Sequence, residues 1–288
     1  MAGSGEIVVI GAGQMGAGIA QAFLAAGIDT LLIDSSATAI GQAEQKIRGG
    51  LAKVRAKNAA AVFGKLEVSI AWPDRSDARL LIETVVEKLP VKQEVMRQAE
   101  AMLAADAVIA TNTSALSVTE IATALADPGR AIGMHFFNPV HSMRLVELVR
   151  GVMTSGHAIE AARDYVDRLG KTPVVVRDNP GLATSRVSAL LGNEAMMMLM
   201  EGVASAEDID TALRLGLNHP MGPLELGDLT GWDTRLKVLE HLEATLGDRF
   251  RPCPLIRTMV ASGRIGRKAG AGVYRYENGT RVPDSACF

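Results

Sequence analysis

The chain has 288 residues, 48% apolar and 22% charged, which is enough for one large or two ordinary domains with a substantial core. Thirty basic against 32 acidic side chains leave a net charge of −2, so there is no electrostatic footprint for nucleic acid or an anionic membrane. Aromatics at 4% exclude a stacking platform for single strands, and no apolar run approaches the ~18–20 residues that cross a bilayer. Cys253 and Cys287 cannot form a disulfide framework, and such low cysteine use points to a reducing cytoplasm. The N-terminus has no basic stretch and its apolar run is broken by glycines, so no secretory signal is expected.

Up to about residue 180, short β-rich runs alternate with helical patterns. The runs are Glu6–Ile10, Thr30–Asp34, Leu66–Ile70, Leu80–Val86 and Ala107–Thr111, with helices predicted at Met15–Ala26, Ala37–Lys57 and Val91–Leu103. Continuous apolar strands between helices predict a parallel sheet covered on both faces. Three further β-like runs follow at Ala131–Phe137, Arg144–Val149 and Thr172–Val176.

After Asp178-Asn179-Pro180-Gly181, a breaker cluster, the pattern becomes helical: Leu182–Glu201, Ala206–Leu215, Leu224–Leu229, Asp233–Leu246 and Leu255–Ser262. The expected architecture is an α/β Rossmann-type dinucleotide-binding domain over residues 1–180, followed by an all-α domain over residues 181–288. The polar tail after Tyr276 is expected to be loose.

Gly11-Ala12-Gly13-Gln14-Met15-Gly16 reads G-x-G-x-x-G between a strand and a helix. In that context the first glycine permits a tight turn, the second lets a pyrophosphate approach the backbone, and the third lets helix and strand pack closely. Asp34 ends the second strand, 23 residues after Gly11, where a carboxylate accepts hydrogen bonds from the adenosine ribose. It would repel the 2′-phosphate of NADP, and Ser35 and Ser36 follow where an arginine would otherwise offset it. The cofactor read from these residues is NAD, and no metal is expected.

His135 lies in Gly133-Met134-His135-Phe136-Phe137-Asn138-Pro139, and Glu147 follows 12 residues later on a neighbouring β-run. An imidazole titrates near neutrality and suits proton abstraction from a secondary alcohol, while a carboxylate can orient the ring and stabilise its charged form. Flanked by Phe136 and Phe137, the histidine alone reads more readily as a packed core residue.

With these motifs the chain resembles the L-3-hydroxyacyl-CoA dehydrogenases, of the 3-hydroxybutyryl-CoA dehydrogenase size. The resemblance runs from end to end. It includes the glycine loop, Ile82–Glu87, Asn112–Ser114, His135–Pro139, Leu145–Val149, Pro220–Leu226 and Gly266–Tyr274.

It implies NAD-dependent oxidation of an (S)-3-hydroxyacyl-CoA, reversibly, with His135 as base and Glu147 as its partner. It implies Ser114 on the substrate's 3-oxygen, and Glu87, Lys92, Asn138 and Lys268 beside the cofactor together with Gln14 and Met15 of the loop. Ser114 also precedes a helical pattern, as a capping serine does.

Two positions depart from the family pattern. Ser185 stands where the family usually has an asparagine that helps fix the 3-oxygen. On the helix after Asp34, Lys57 matches a lysine that contacts coenzyme A, while Gly50 stands where a serine is usual.

Met196–Met200 make one helix apolar on nearly every side, which predicts burial in the helical domain or against a second chain. By resemblance a homodimer through the helical domain is expected, with a role in fatty acid metabolism. Two other readings stay open: a dehydrogenase of a 3-hydroxy acid that is free or held on an acyl carrier protein, and a catalytically silent NADH-binding protein.

Overall fold

The structure, a computed structural model, describes residues 6–286. Cys287 lies outside the described residues. The chain divides into two compact units, Met1–Asn179 and Pro180–Phe288.

Among the described residues the first unit is built on eight strands: β1 (Ile7–Ile10), β2 (Thr30–Ile33), β3 (Leu66–Ser69), β4 (Leu80–Glu83), β5 (Val108–Thr111), β6 (Ala131–Phe136), β7 (Leu145–Arg150) and β8 (Thr172–Arg177). They form one sheet in the order β3-β2-β1-β4-β5-β6-β7-β8. Strands β1 to β6 run parallel, so β1 and β4 flank the switch point at which ligands bind in doubly wound sheets.

Five helices cover the sheet: α1 (Gln14–Ala25), α2 (Ala37–Lys57), α3 (Leu89–Met102), α4 (Val118–Ala122) and α5 (Gly156–Arg168). Successive strand residues point to opposite faces, and the core divides accordingly. Ile7 and Val9 pack with Phe23 of α1, Ile47 of α2 and Val166 of α5 on one side; Val8 and Ile10 pack with Met96 of α3 and Ile121 of α4 on the other. Serine side chains start three of these helices, with Ser36, Ser117 and Ser155 accepting from the backbone N–H groups of Ala39, Glu120 and Ala158.

The five runs read as a parallel sheet, β1 to β5, are parallel; beyond them β7 runs antiparallel to β6, and β8 runs parallel to β7. Residues 137–144 join β6 to β7, fewer than a parallel crossover needs. Helix α5, which the sequence reading did not name, supplies the crossover between β7 and β8.

The second unit contains α6 (Thr184–Met200), α7 (Ala206–Gly216), α8 (Pro223–Thr230), α9 (Trp232–Leu246) and α10 (Pro254–Ala261). Their shared core centres on Trp232, Phe250, Tyr274, Met196 and Leu239. Met196 and Leu199 of α6 are buried, while Met197 and Met198 are partly so and Met200 is exposed, so the helix is less enclosed than its composition suggests.

The tail is a further correction. Instead of a loose end, β9 (Tyr276–Glu277) and β10 (Thr280–Arg281) form an antiparallel hairpin. Its two-residue turn, Asn278-Gly279, has positive φ at both positions, which is the turn that matches strand twist.

Candidate active site

The glycine loop follows β1 and opens α1. Gly11 has φ +98°, and a Cβ on Gly16 would lie 1.8 Å from the Gly11 carbonyl oxygen, so neither position accepts a side chain. Gly13 differs: a Cβ there would meet nothing within 4 Å, which leaves an open approach to the backbone. Gly13 is also the N-cap of α1 and offers no side-chain cap. The first N–H groups of α1 and its positive dipole end are therefore free to receive an extended anion such as a pyrophosphate.

Asp34, just past β2, accepts from the Ala12 N–H at 2.7 Å and the Ser36 N–H at 2.8 Å. It thus ties the loop to the second strand and keeps lone pairs for a diol. Thr84, which the sequence reading did not single out, donates to the carbonyls of Ile10 (2.9 Å) and Gly11 (3.1 Å) and fixes the loop from β4. Gln14 Nε2 donates to Asn138 Oδ1 at 3.2 Å, which joins the loop to the segment after β6; the Asn138–Pro139 peptide is cis. Met15 packs its partly buried side chain on the core beneath the loop.

His135 and Glu147 occupy directly opposed positions on β6 and β7. Cross-strand neighbours on one face stand ~5 Å apart at Cβ, so an imidazole and a carboxylate there must meet. His135 Nδ1 lies 2.8 Å from Glu147 Oε2, with the two residues 7% and 1% exposed. A carboxylate can only accept, so Nδ1 carries a proton, and in the neutral imidazole Nε2 keeps the lone pair. Phe137 lies beside the ring, with centroids 4.5 Å apart. Asn112 Oδ1 accepts from the Phe136 N–H at 2.9 Å and braces the strand next to the histidine.

A second polar group forms where β4 and β5 end. Lys92, 1% exposed, places Nζ 2.9 and 3.1 Å from the two Glu83 oxygens and 3.1 Å from Glu87 Oε2. Glu83 also accepts from the Val85 N–H and the Thr111 hydroxyl. Glu87 accepts from the Thr113 hydroxyl and from the N–H groups of Ser114 (3.0 Å) and Ala115 (3.2 Å). Partial burial raises the Glu87 pKa, but the charge and hydrogen bond of Lys92, with those from Thr113 and Ser114, outweigh it and hold the carboxyl below its usual range.

The Lys92 ammonium is thus enclosed by carboxylates, and Glu87 is the member of this group that reaches solvent. Ser114 is exposed, and the cap of α4 is Ser117 rather than Ser114. That removes the capping explanation for Ser114.

In the second unit, Ser185 is the second residue of α6 and half-buried. Lys268, in a short turn at Arg267–Ala269, pairs with Asp233 at 2.7 Å. Lys57 ends α2, and its side chain lies outside the described residues. Gly50 packs against α1: a Cβ there would come within 2.1 Å of Gln21 Oε1, so a serine requires Gln21 to move.

Residues 6–179 match the NAD-binding domain of 3-hydroxyacyl-CoA dehydrogenase, and residues 181–276 match the C-terminal domain of the same family. The chain belongs to the 3-hydroxyacyl-CoA dehydrogenase family. As a member it is an NAD-dependent oxidoreductase.

A probable 3-hydroxybutyryl-CoA dehydrogenase of Deinococcus radiodurans is 40% identical over 274 residues, which cover 93% of this chain and 99% of the relative. The 3-hydroxybutyryl-CoA dehydrogenase of Bradyrhizobium diazoefficiens is 40% identical over 285 residues, 96% and 97% of the two chains. The crystal structure of an (S)-3-hydroxybutyryl-CoA dehydrogenase from Ralstonia eutropha superposes with a TM-score of 0.88 at 37% identity, covering 96% of this chain and all of the other.

Proposed function

We propose that this dehydrogenase interconverts (S)-3-hydroxyacyl-CoA and 3-oxoacyl-CoA with His135 and Glu147 as its acid–base pair. The observation that carries the reading is the buried 2.8 Å contact between them, which commits Nδ1 and leaves Nε2 as the base. Nε2 takes the proton from the 3-hydroxyl, and Glu147 stabilises the imidazolium that forms. NAD, when bound, accepts the hydride from C3.

The Ser114 hydroxyl donates to the 3-oxygen, and its N–H is already tied to Glu87, which keeps it in place. Ser185 supplies a second, shorter donor where an amide is usual. The open backbone at Gly13 and the uncapped start of α1 hold the pyrophosphate, and Asp34 takes the ribose. Glu87, set by Lys92, lines the cofactor with Asn138, and Lys268 is the match for the family lysine that reaches it.

The first unit is the cofactor-binding domain and also carries Ser114 and the acid–base pair, and the second carries the substrate contact of Ser185 and the dimer contact. Support for a homodimer comes from apolar side chains left exposed on the second unit, among them Leu215 at 74%, Val203, Leu217 and Val187. Lys57, with Lys53 and Arg55 beside it in the sequence, is the match for the family lysine that contacts the nucleotide end of coenzyme A. A cytoplasmic enzyme of fatty acid metabolism is consistent with the low cysteine content and the acyl-CoA chemistry.

The test is NADH absorbance with purified protein and acetoacetyl-CoA, beside NADPH and the free 3-oxo acid. Rapid NADH oxidation on the thioester is expected. NADPH turnover at the same rate contradicts the role of Asp34, and turnover on the free acid alone moves the substrate to an unactivated 3-hydroxy acid.

A further inference from the structure

Arg235, in the first turn of α9, is 6% exposed. Among the described residues no carboxylate pairs with it: its hydrogen-bond partners are the carbonyl and hydroxyl of Ser188 and the hydroxyl of Thr230, and its guanidinium also lies 5.9 Å from the centroid of the Trp232 ring. The hydroxyl contacts are long, at 3.2–3.3 Å, and Nε has no acceptor. Burial lowers its pKa to about 10, which leaves the guanidinium charged at neutral pH. A buried charge without a counter-charge is costly, and a planar fork with an unused N–H has the geometry that receives a carboxylate.

Three features make this a place for a ligand. Space for the side chain comes from Gly192, where a Cβ would lie 3.0 Å from the Arg235 side chain. Ser188 is half-buried and Thr230 is exposed, so the rim of hydroxyls around the guanidinium opens to solvent although the guanidinium itself does not. Ser188 also lies three residues after Ser185 on α6, on the same face and ~4.5 Å along the axis.

We propose that Arg235, Ser188 and Thr230 form a carboxylate subsite one helical turn from Ser185, so that the preferred substrate is a 3-hydroxyacyl thioester whose acyl chain ends in a carboxylate. This rests on the dehydrogenase reading, in which Ser185 holds the 3-oxygen. Proximity to Ser185 assigns the anion to the acyl chain rather than to the nucleotide. The carboxylate lies a few carbons from C3, paired with the fork and receiving a hydrogen bond from the Ser188 hydroxyl, while the Thr230 hydroxyl, which donates to the Leu226 and Gly227 carbonyls, accepts from the guanidinium and holds it in place.

The experiment compares two 3-oxoacyl-CoA thioesters of equal chain length, one ending in methyl and one in carboxylate, with NADH. The wild type is expected to favour the carboxylate by about 10–100-fold in kcat/KM, the range of a charge-assisted bond. Arg235→Met should abolish that ratio, and Arg235→Lys should leave part of it. Should Arg235→Met not fold, Arg235→Lys and Ser188→Ala carry the same comparison.

A wild-type preference for methyl, or a ratio untouched by these variants, overturns the proposal. So does a loss of NADH affinity in Arg235→Met, which assigns the guanidinium to the cofactor. Turnover of neither thioester defeats the dehydrogenase reading instead. The subsite is then read from glutarate, which should raise the melting temperature of the wild type but not of Arg235→Met; equal effects on both overturn it.

Discussion

Lys92 in the first unit and Arg235 in the second are both withdrawn from water, and the fold treats them in opposite ways. Lys92 meets Glu83 and Glu87, and the excess negative charge of that trio is met by donors from Val85, Thr111, Thr113, Ser114 and Ala115. Arg235 meets a carbonyl and two hydroxyls, with one N–H left over. In a low-dielectric interior the first arrangement is complete and rigid, and the second is short of one anion. The difference separates a group that shapes a site from one that waits for a ligand.

The comparison can be broken at either end, and the largest effect is expected in the first unit. Glu83→Gln takes a carboxylate from Lys92 and leaves its ammonium leaning on Glu87, so urea denaturation should show a loss of about 3 kcal/mol or more. A loss below 1 kcal/mol means that Lys92 finds water or another partner, and the contrast with Arg235 collapses. Arg235→Met removes a charge with no counter-charge, so its stability should stay within about 1 kcal/mol of the wild type or exceed it. A loss as large as that of Glu83→Gln shows that the hydroxyls and the carbonyl already satisfy the guanidinium.

The smallest effect concerns pH. The Glu87 carboxyl is depressed from its ordinary 4.5, so its contribution is present above that value and is lost as pH falls through the depressed one. Its side chain is 38% exposed, and solvent screening holds the effect to about 0.5 kcal/mol. Urea midpoints of wild type and Glu87→Gln should therefore stay apart above pH 4.5 and converge as pH falls through the depressed value.

Much of this molecule is legible in the sequence because its signals are local. The strands are runs of Val, Ile and Leu, and G-x-G-x-x-G followed by Asp34 carries its own geometry. His135 and Glu147 were read as a pair through the family resemblance, while the antiparallel register that sets them face to face was not.

What was not read depends on packing or on short links. Helix α5 has a Ser155 cap and apolar Ala158, Ala162, Tyr165 and Val166 at helical spacing, a signal present but diluted by its charged face. The reversal at β7 was available from the length of residues 137–144 alone. The hairpin was marked by Asn278-Gly279 within a polar tail. Arg235 gave no sign: an arginine in an amphipathic helix reads as solvated until its neighbours are seen. Thr84 likewise shows its role only when the ends of β1 and β4 are side by side.

The most direct test of the acid–base pair is a double-mutant cycle on kcat with acetoacetyl-CoA and NADH, using His135→Gln, Glu147→Gln and the two together. Glu147 acts only through the imidazole, so each single variant should lose about 10²–10⁴-fold and the double variant should be no slower than His135→Gln. Losses that multiply in the double variant, or a Glu147→Gln enzyme as fast as the wild type, would show that the buried contact is packing and that the base lies elsewhere.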